Sequence, residues 1–425
     1  MKSGEMHTII GNSAAGLSAI KAIRKMGDSA PITLISAESC NAYSPVLTTY
    51  YISEQIKRAG LFVVDDTFYR KFNIKVLFGR KAIAIDTANR LVHLKDRTRI
   101  PFKKLLIATG ASPRTLDNVD ESTSGCVFTL RTIADAEKIK KASAKARNIV
   151  LIGAGLVSLQ TIKAILGAEK SITLVVGSYQ VLSQQMDSEA AGIIQKMLEN
   201  HGITVLFGRR VERILRKGDQ VFVVTNFGES LPADMVIVGK GVNPNIALVE
   251  NTNVKTNVGI LVNNQMRTNE EDIYAAGDVA EGRNTLTGST ETIATWFSAC
   301  AQGEIAGMNM AGIPAKVHMH YRENITNILG LSAATMGMTS HKEWKAGGLT
   351  YSEEKRNVYR RLILDGPRLV GAILLGKTED AGVIRHCITN KIDISSWEKE
   401  IARGSFRFGN TFFSKDFSWP VNWQL

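Results

Sequence analysis

One short pattern occurs twice in this chain and limits what it can fold into. His7-Thr8-Ile9-Ile10 reads as a buried strand that runs into Gly11-Asn12-Ser13-Ala14-Ala15-Gly16. Leu17, Ile20 and Ile23 recur at helical spacing, and Ile32-Thr33-Leu34-Ile35 forms a second strand. Glu38 follows, 22 residues after Gly16. The copy starts at Asn148. A strand to Ile152 meets the turn Gly153-Ala154-Gly155-Leu156-Val157-Ser158. Leu159, Ile162 and Leu166 then line a helix, and Ile172 to Val176 is the next strand. The chemistry of a bound dinucleotide explains each position. The first glycine permits a sharp turn, a small second residue lets backbone approach a pyrophosphate, and a small third residue lets helix pack on strand. The helix N-terminus offers free N–H groups to the phosphates, and the acid accepts ribose hydroxyls.

Two further strand ends fall in register with this pattern. Leu105-Leu106-Ile107-Ala108 ends in Thr109-Gly110, and Ile273-Tyr274-Ala275-Ala276 ends in Gly277-Asp278. Ligands of doubly wound sheets lie beyond the carboxyl ends of the strands. Asp278 is thereby placed to accept a hydrogen bond from a ribityl hydroxyl. A helix from about Thr292 to Met310 is expected next.

In this order, the four signals resemble the pyridine nucleotide-disulfide oxidoreductase superfamily. The fold that this implies is α/β, with two Rossmann-like dinucleotide-binding domains, the second inserted in the first, and a C-terminal α+β interface domain. The expected boundaries are 1–115 and 245–315 for the FAD-binding domain, 116–244 for the NAD(P)-binding-like domain and 316–425 for the interface domain. Tyr43-Ser44-Pro45, Leu130-Arg131-Thr132 and the second glycine turn resemble the NADH oxidase, rubredoxin reductase and nitrite reductase branch. Within it the likeness runs to FAD subunits of anaerobic multi-subunit oxidoreductases such as phenylglyoxylate dehydrogenase. The resemblance implies FAD contacts from Gly11, Ser13, Ala14, Ala15, Gly16, Glu38, Tyr43, Ser44, Thr109, Gly110, Arg131, Gly277, Asp278 and Trp296. It implies NAD(H) or NADP(H) at Gly153, Gly155, Ser158 and Gly241. No residue stands out as a catalytic acid or base, because the flavin itself carries the electrons.

The departures are informative. The family's disulfide members carry Cys-x-x-x-x-Cys, and Cys40 has no such mate. Val176 stands where a ribose-binding acid is expected, the third glycine is Ser158, and Gln160 replaces a frequent Glu. Loss of a charged hydrogen bond to ribose would cost about 1.5–3 kcal/mol, roughly tenfold or more in affinity. Two functions follow. One is an FAD-dependent oxidoreductase passing electrons between NAD(P)(H) and an iron–sulfur or ferredoxin-like protein. The other is an FAD electron-transfer subunit whose nicotinamide site does not function.

Composition narrows the partners. Lys and Arg number 52 against 40 Asp and Glu, a net charge of +12. The positive residues form short groups, such as Lys138, Lys140, Lys141, Lys145 and Arg147, or Arg209, Arg210, Arg213, Arg216 and Lys217. No zinc finger or basic aromatic sheet accompanies them, so an acidic redox protein is expected rather than nucleic acid. Four scattered cysteines, Cys40, Cys126, Cys300 and Cys387, offer no metal-ligand pair. No apolar stretch reaches the roughly 18 residues of a membrane span. A cytoplasmic protein is expected, as a homo-oligomer or in a hetero-complex. The aromatic tail from Phe406 to Trp423 reads as either packing on its own domain or an anchor for a partner.

Overall fold

The computed structural model describes residues 6–318, 320–339, 348–353 and 357–405. The aromatic tail lies outside them. The chain forms two compact units, Met1–Leu182 with Gln195–His320, and Ser183–Ile194 with Tyr321–Leu425.

The first unit starts with β1 (His7–Ile10), α1 (Ala14–Lys25), β2 (Ile32–Ile35), β3 (Ile74–Leu77) and β4 (Lys104–Ile107). A second set follows: β5 (Val127–Phe128), α2 (Ile133–Ser143), β6 (Asn148–Ile152), α3 (Leu156–Ile165), β7 (Ser171–Val176), β8 (Thr204–Phe207) and β9 (Met235–Val238). The chain then returns with β10 (Ile273–Ala275) and α4 (Trp296–Met310). The outward and return segments, Ala111–Pro113 and Val242–Pro244, pair antiparallel.

Each set builds a five-stranded parallel sheet. The orders are β10-β4-β1-β2-β3 and β8-β7-β6-β9-β5. Strands β1 and β2 are buried at every position, as expected of unbroken apolar runs covered on both faces. The order reverses between β1 and β4 in the first sheet and between β6 and β9 in the second, which opens a crevice at each place. Helices α1 and α4 approach at backbone distance. A Cβ on Gly303 would lie 2.2 Å from the Ala15 carbonyl oxygen, and one on Gly307 would lie 2.4 Å from that of Ala19. Helix α4 starts later than the sequence suggests. Thr290–Thr292 is a strand, and Thr295 caps the helix through Ser298 N–H.

The second unit carries an antiparallel sheet. Its strands are β11 (Glu323–Ile328), β12 (Leu331–Gly337), β13 (Gly348–Glu353), β14 (Val358–Asp365) and β15 (Arg368–Leu375), in the order β11-β12-β15-β14-β13. Helices α5 (Ala381–Thr389) and α6 (Glu398–Arg403) follow. Arg360 on β14 is wholly buried. It donates to Asp380 at 2.9 and 2.6 Å, and to the carbonyls of Lys377 at 2.8 Å, Ala402 at 2.9 Å and Ile401 at 3.0 Å. All five N–H donors of the guanidinium are thereby used. Among the described residues, no helix is long and apolar enough to cross a membrane.

Candidate functional site

The two sheets present matching edges, with equivalent backbone hydrogen bonds and glycine turns. Gly11 has φ of +123°, and a Cβ there would lie 2.0 Å from the Ala108 carbonyl oxygen. Gly153 has φ of +96°, and its Cβ would lie 2.5 Å from the Gly239 carbonyl oxygen. Gly11 N–H donates to Ile35 at 2.9 Å, and Gly153 N–H donates to Val175 at 2.8 Å. Ala108 N–H donates to Ile10 and Gly239 N–H to Ile152, both at 2.8 Å. Gly110 and Gly241 both have positive φ. Only glycine fits the first position of each turn.

The third positions differ. A Cβ on Gly16 would lie 2.0 Å from the Gly11 carbonyl oxygen, so the first turn admits no side chain there. Ser158 fills the matching place in the second turn. Room comes from across the crevice, because a Cβ on Gly239 would lie 2.1 Å from the Ser158 hydroxyl. That hydroxyl is buried without a hydrogen-bond partner. The second turn is thus intact, with the small residue moved from the helix to the facing strand.

Ser13 ends α1 without using its side chain as a cap, which leaves its hydroxyl uncommitted at the helix N-terminus. Ala14 and Ala15 are buried behind it. Glu38 is held by the Tyr43 hydroxyl, which donates to it at 2.8 Å and accepts the Ile133 N–H at 3.3 Å. Burial, then the Glu38 carboxylate, push the Tyr43 phenol up, so it stays a donor. Ser44 lies buried beside it and is tied through its N–H to Leu61. Tyr43 therefore fixes the Glu38 carboxylate.

At the other end of the edge, Arg131 pairs with Asp278 at 2.8 Å. A Cβ on Gly110 would lie 3.2 Å from the same guanidinium. Gly277 N–H donates to Gln302 at 2.7 Å. Trp296 opens α4 and packs, half-buried, on the cluster that contains Ala14, Ala15 and Ala299. The structure thus gathers Gly11, Ser13, Gly16, Glu38, Gly110, Arg131, Gly277 and Asp278 along one edge. Thr109 is turned instead to Asn245, donating to its carbonyl at 3.0 Å while Asn245 returns a bond at 2.8 Å. Asn245 and Gln302 fix the strand ends, and no local pattern marks either of them.

Strand register aligns the ends of β2 and β7. Glu38 accepts the Gly79 N–H on its carbonyl at 3.1 Å, and Ser178 accepts that of Gly208 at 3.1 Å. Arg80 N–H binds Ser36 at 2.8 Å, and Arg209 N–H binds Val176 at 3.0 Å. Val176 therefore corresponds to Ser36 and is buried in the sheet. By the same register, Ser178 corresponds to Glu38.

Cys40 is half-buried, and its thiol is raised by burial and by Glu38, the reverse of an activated thiolate.

Two parallel-sheet edges with glycine turns, joined by a pair of crossing strands, define a scaffold of two dinucleotide-binding folds. Residues 6–303 match the pyridine nucleotide-disulphide oxidoreductase family, and residues 323–392 match the rubredoxin NAD+ reductase C-terminal domain. The chain belongs to the pyridine nucleotide-disulphide oxidoreductase family, whose cofactors are FAD and NAD(P)H. It is 30% identical to the epsilon subunit of NADH-dependent phenylglyoxylate dehydrogenase from Aromatoleum evansii, over 96% of this chain and 97% of that one. It is 28% identical to the rubredoxin-NAD(+) reductase of Pseudomonas putida, over 72% of this chain and 79% of that one. A solved ferredoxin reductase from Rhodopseudomonas palustris shares the fold, with a TM-score of 0.86 and 22% identity over 94% of this chain and 98% of that one.

Proposed function

We propose that this chain is a cytoplasmic flavoprotein that carries FAD on the first sheet edge. It passes electrons between NAD(P)H, held on the second edge, and an acidic iron–sulfur or ferredoxin-like protein. The observation that carries this reading is the duplicated edge, with the Arg131–Asp278 pair closing the first copy. When bound, FAD supplies hydride acceptance from nicotinamide and release of electrons one at a time.

The residues present fit that cofactor. The α1 N-terminus and Ser13 would hold the pyrophosphate, with Gly11 and Gly16 leaving the backbone free to approach it. Glu38, oriented by Tyr43, accepts ribose hydroxyls with its remaining carboxylate oxygen. Asp278 binds on the flavin side, with Arg131 alongside, and Gly110 and Gly277 keep that end open. Trp296 stands beside the flavin end. Gly153, Gly155 and Gly241 would hold the nicotinamide nucleotide, with Ser158 packing the turn. No dithiol takes part: Cys40 is free, and its thiol is raised.

The net charge of +12 favours an acidic partner, whose binding then weakens as salt is added. The rubredoxin reductase relative supports a small iron protein, and the epsilon-subunit relative supports the same role inside a hetero-complex. Asp278→Ala and Arg131→Ala each remove one side of a half-buried charged pair. Each should weaken FAD retention at least tenfold, from a loss of about 1.5–3 kcal/mol. The ratio of flavin to protein after extensive dialysis reads this. Wild-type flavin retention in both variants would overturn the assignment of this edge to FAD.

A further inference from the structure

The second edge carries a charge pattern that the first does not. In the first copy, the residue three beyond the paired end of β2 is Glu38, and the residues after Gly79 are Arg80 and Lys81. In the second copy, the matching residues are Ser178, Arg209 and Arg210. The first arginine of each copy is committed. Arg80 pairs with Asp96. Arg209 pairs with Glu229 at 3.2 Å, donates to the Phe207 carbonyl and lies over the Phe227 ring at 4.3 Å. Arg210 is different. It is exposed, its N–H is held by Asn226 at 2.8 Å, and its guanidinium has no partner among the described residues. Its Cγ lies 4.0 Å from where a Cβ on Gly177 would stand, so its stem runs beside the Gly177–Ser178 loop.

Beyond the committed pairs, the first copy offers a carboxylate and a cation at this place, and the second offers only a cation. A carboxylate suits a ribose with free hydroxyls and repels a phosphate on the same sugar. An uncompensated guanidinium suits the phosphate. The Ser178 hydroxyl donates to the Gln180 carbonyl at 2.7 Å, which fixes the loop without adding charge. Tyr179, 90% exposed, lays its ring against Gly208 and presents an aromatic face at the same end.

We propose that the second edge selects NADPH over NADH, with Arg210 binding the 2′-phosphate and Ser178 leaving that position uncharged. This rests on the functional reading above and would set the chain apart from its NADH-dependent relative.

Two measurements on the FAD-loaded protein test it. The first is calorimetric binding of 2′,5′-ADP against 5′-AMP, which needs no turnover. The 2′-phosphate should tighten binding about tenfold or more, the scale of one charge-assisted contact. The preference should shrink as salt rises. Arg210→Ala and Ser178→Glu should each collapse the ratio, and Arg210→Lys should keep part of it. Equal binding of the two nucleotides, or a ratio unmoved by Arg210→Ala, would overturn the proposal. The second is the ratio of KM for NADH to KM for NADPH in flavin reduction, which should fall in step in the same variants. A preference for 2′,5′-ADP without flavin reduction by either coenzyme would leave the selectivity standing and sink the oxidoreductase reading instead.

Discussion

Gly11→Ala is expected to give a protein that retains almost no flavin. The new Cβ would stand 2.0 Å from the Ala108 carbonyl oxygen, on a residue with φ of +123°. Neither conflict is cheap to relieve. The φ belongs to a region that side chains avoid, and the carbonyl belongs to the segment after β4, at the wall of the crevice. Strain and displacement together should cost about 3–5 kcal/mol, and FAD affinity should fall by two orders of magnitude or more. Flavin-to-protein ratio after gel filtration and the thermal melting point both report the loss. Gly155→Ala is the control. Nothing lies within 4 Å of its Cβ position and its φ is negative, so melting and flavin content should stay within about 0.5 kcal/mol of the parent. If Gly11→Ala kept its flavin, the tight turn would not be what forms the FAD edge.

Arg360→Met should produce the largest loss of stability in the second unit. The substitution keeps an apolar stem but strands Asp380 and the carbonyls of Lys377, Ile401 and Ala402. Removing one partner of a buried charge pair costs about 3–5 kcal/mol, because the other charge stays behind. Melting of that unit should fall by on the order of 10 °C. Changing Asp380 to Asn together with Arg360→Met should recover part of the loss, since the stranded charge is then gone. No recovery in the double variant would point to the carbonyl contacts as the main contribution.

Much of the fold could be read from apolar runs and glycines. Strands β1 and β2 were visible because they are short, unbroken and fully buried, and α1 because its apolar residues recur on one face. The glycine turns were visible because their backbone admits little else. Other parts depend on contacts that no local pattern records. Arg131 reaches Asp278 from far along the chain, and only the family resemblance pointed to it. Gln302 was hidden in a helix of small residues, and Asn245 just past a connecting strand.

The Ser178 position shows the limit most clearly. The apolar run of β7 continues through Val176, at the place where β2 gives way to Ser36. Counting from the last apolar residue therefore does not align the two copies. Backbone hydrogen bonds from Gly208 and Arg209 align Ser178 with Glu38. Ser158 depends on a distant contact as well: its side chain lies against Gly239, which no local pattern records. Arg360 sits in Tyr359-Arg360-Arg361, where alternation alone does not tell which arginine points inward.

The most direct test of the account is an anaerobic titration of the yellow protein with NADPH, followed by its visible flavin absorbance. Direct reduction without a dithiol predicts that one coenzyme equivalent per flavin bleaches the band fully, and that replacing Cys40 with Ser leaves that stoichiometry unchanged. Bleaching by dithionite but by neither NADPH nor NADH would contradict it.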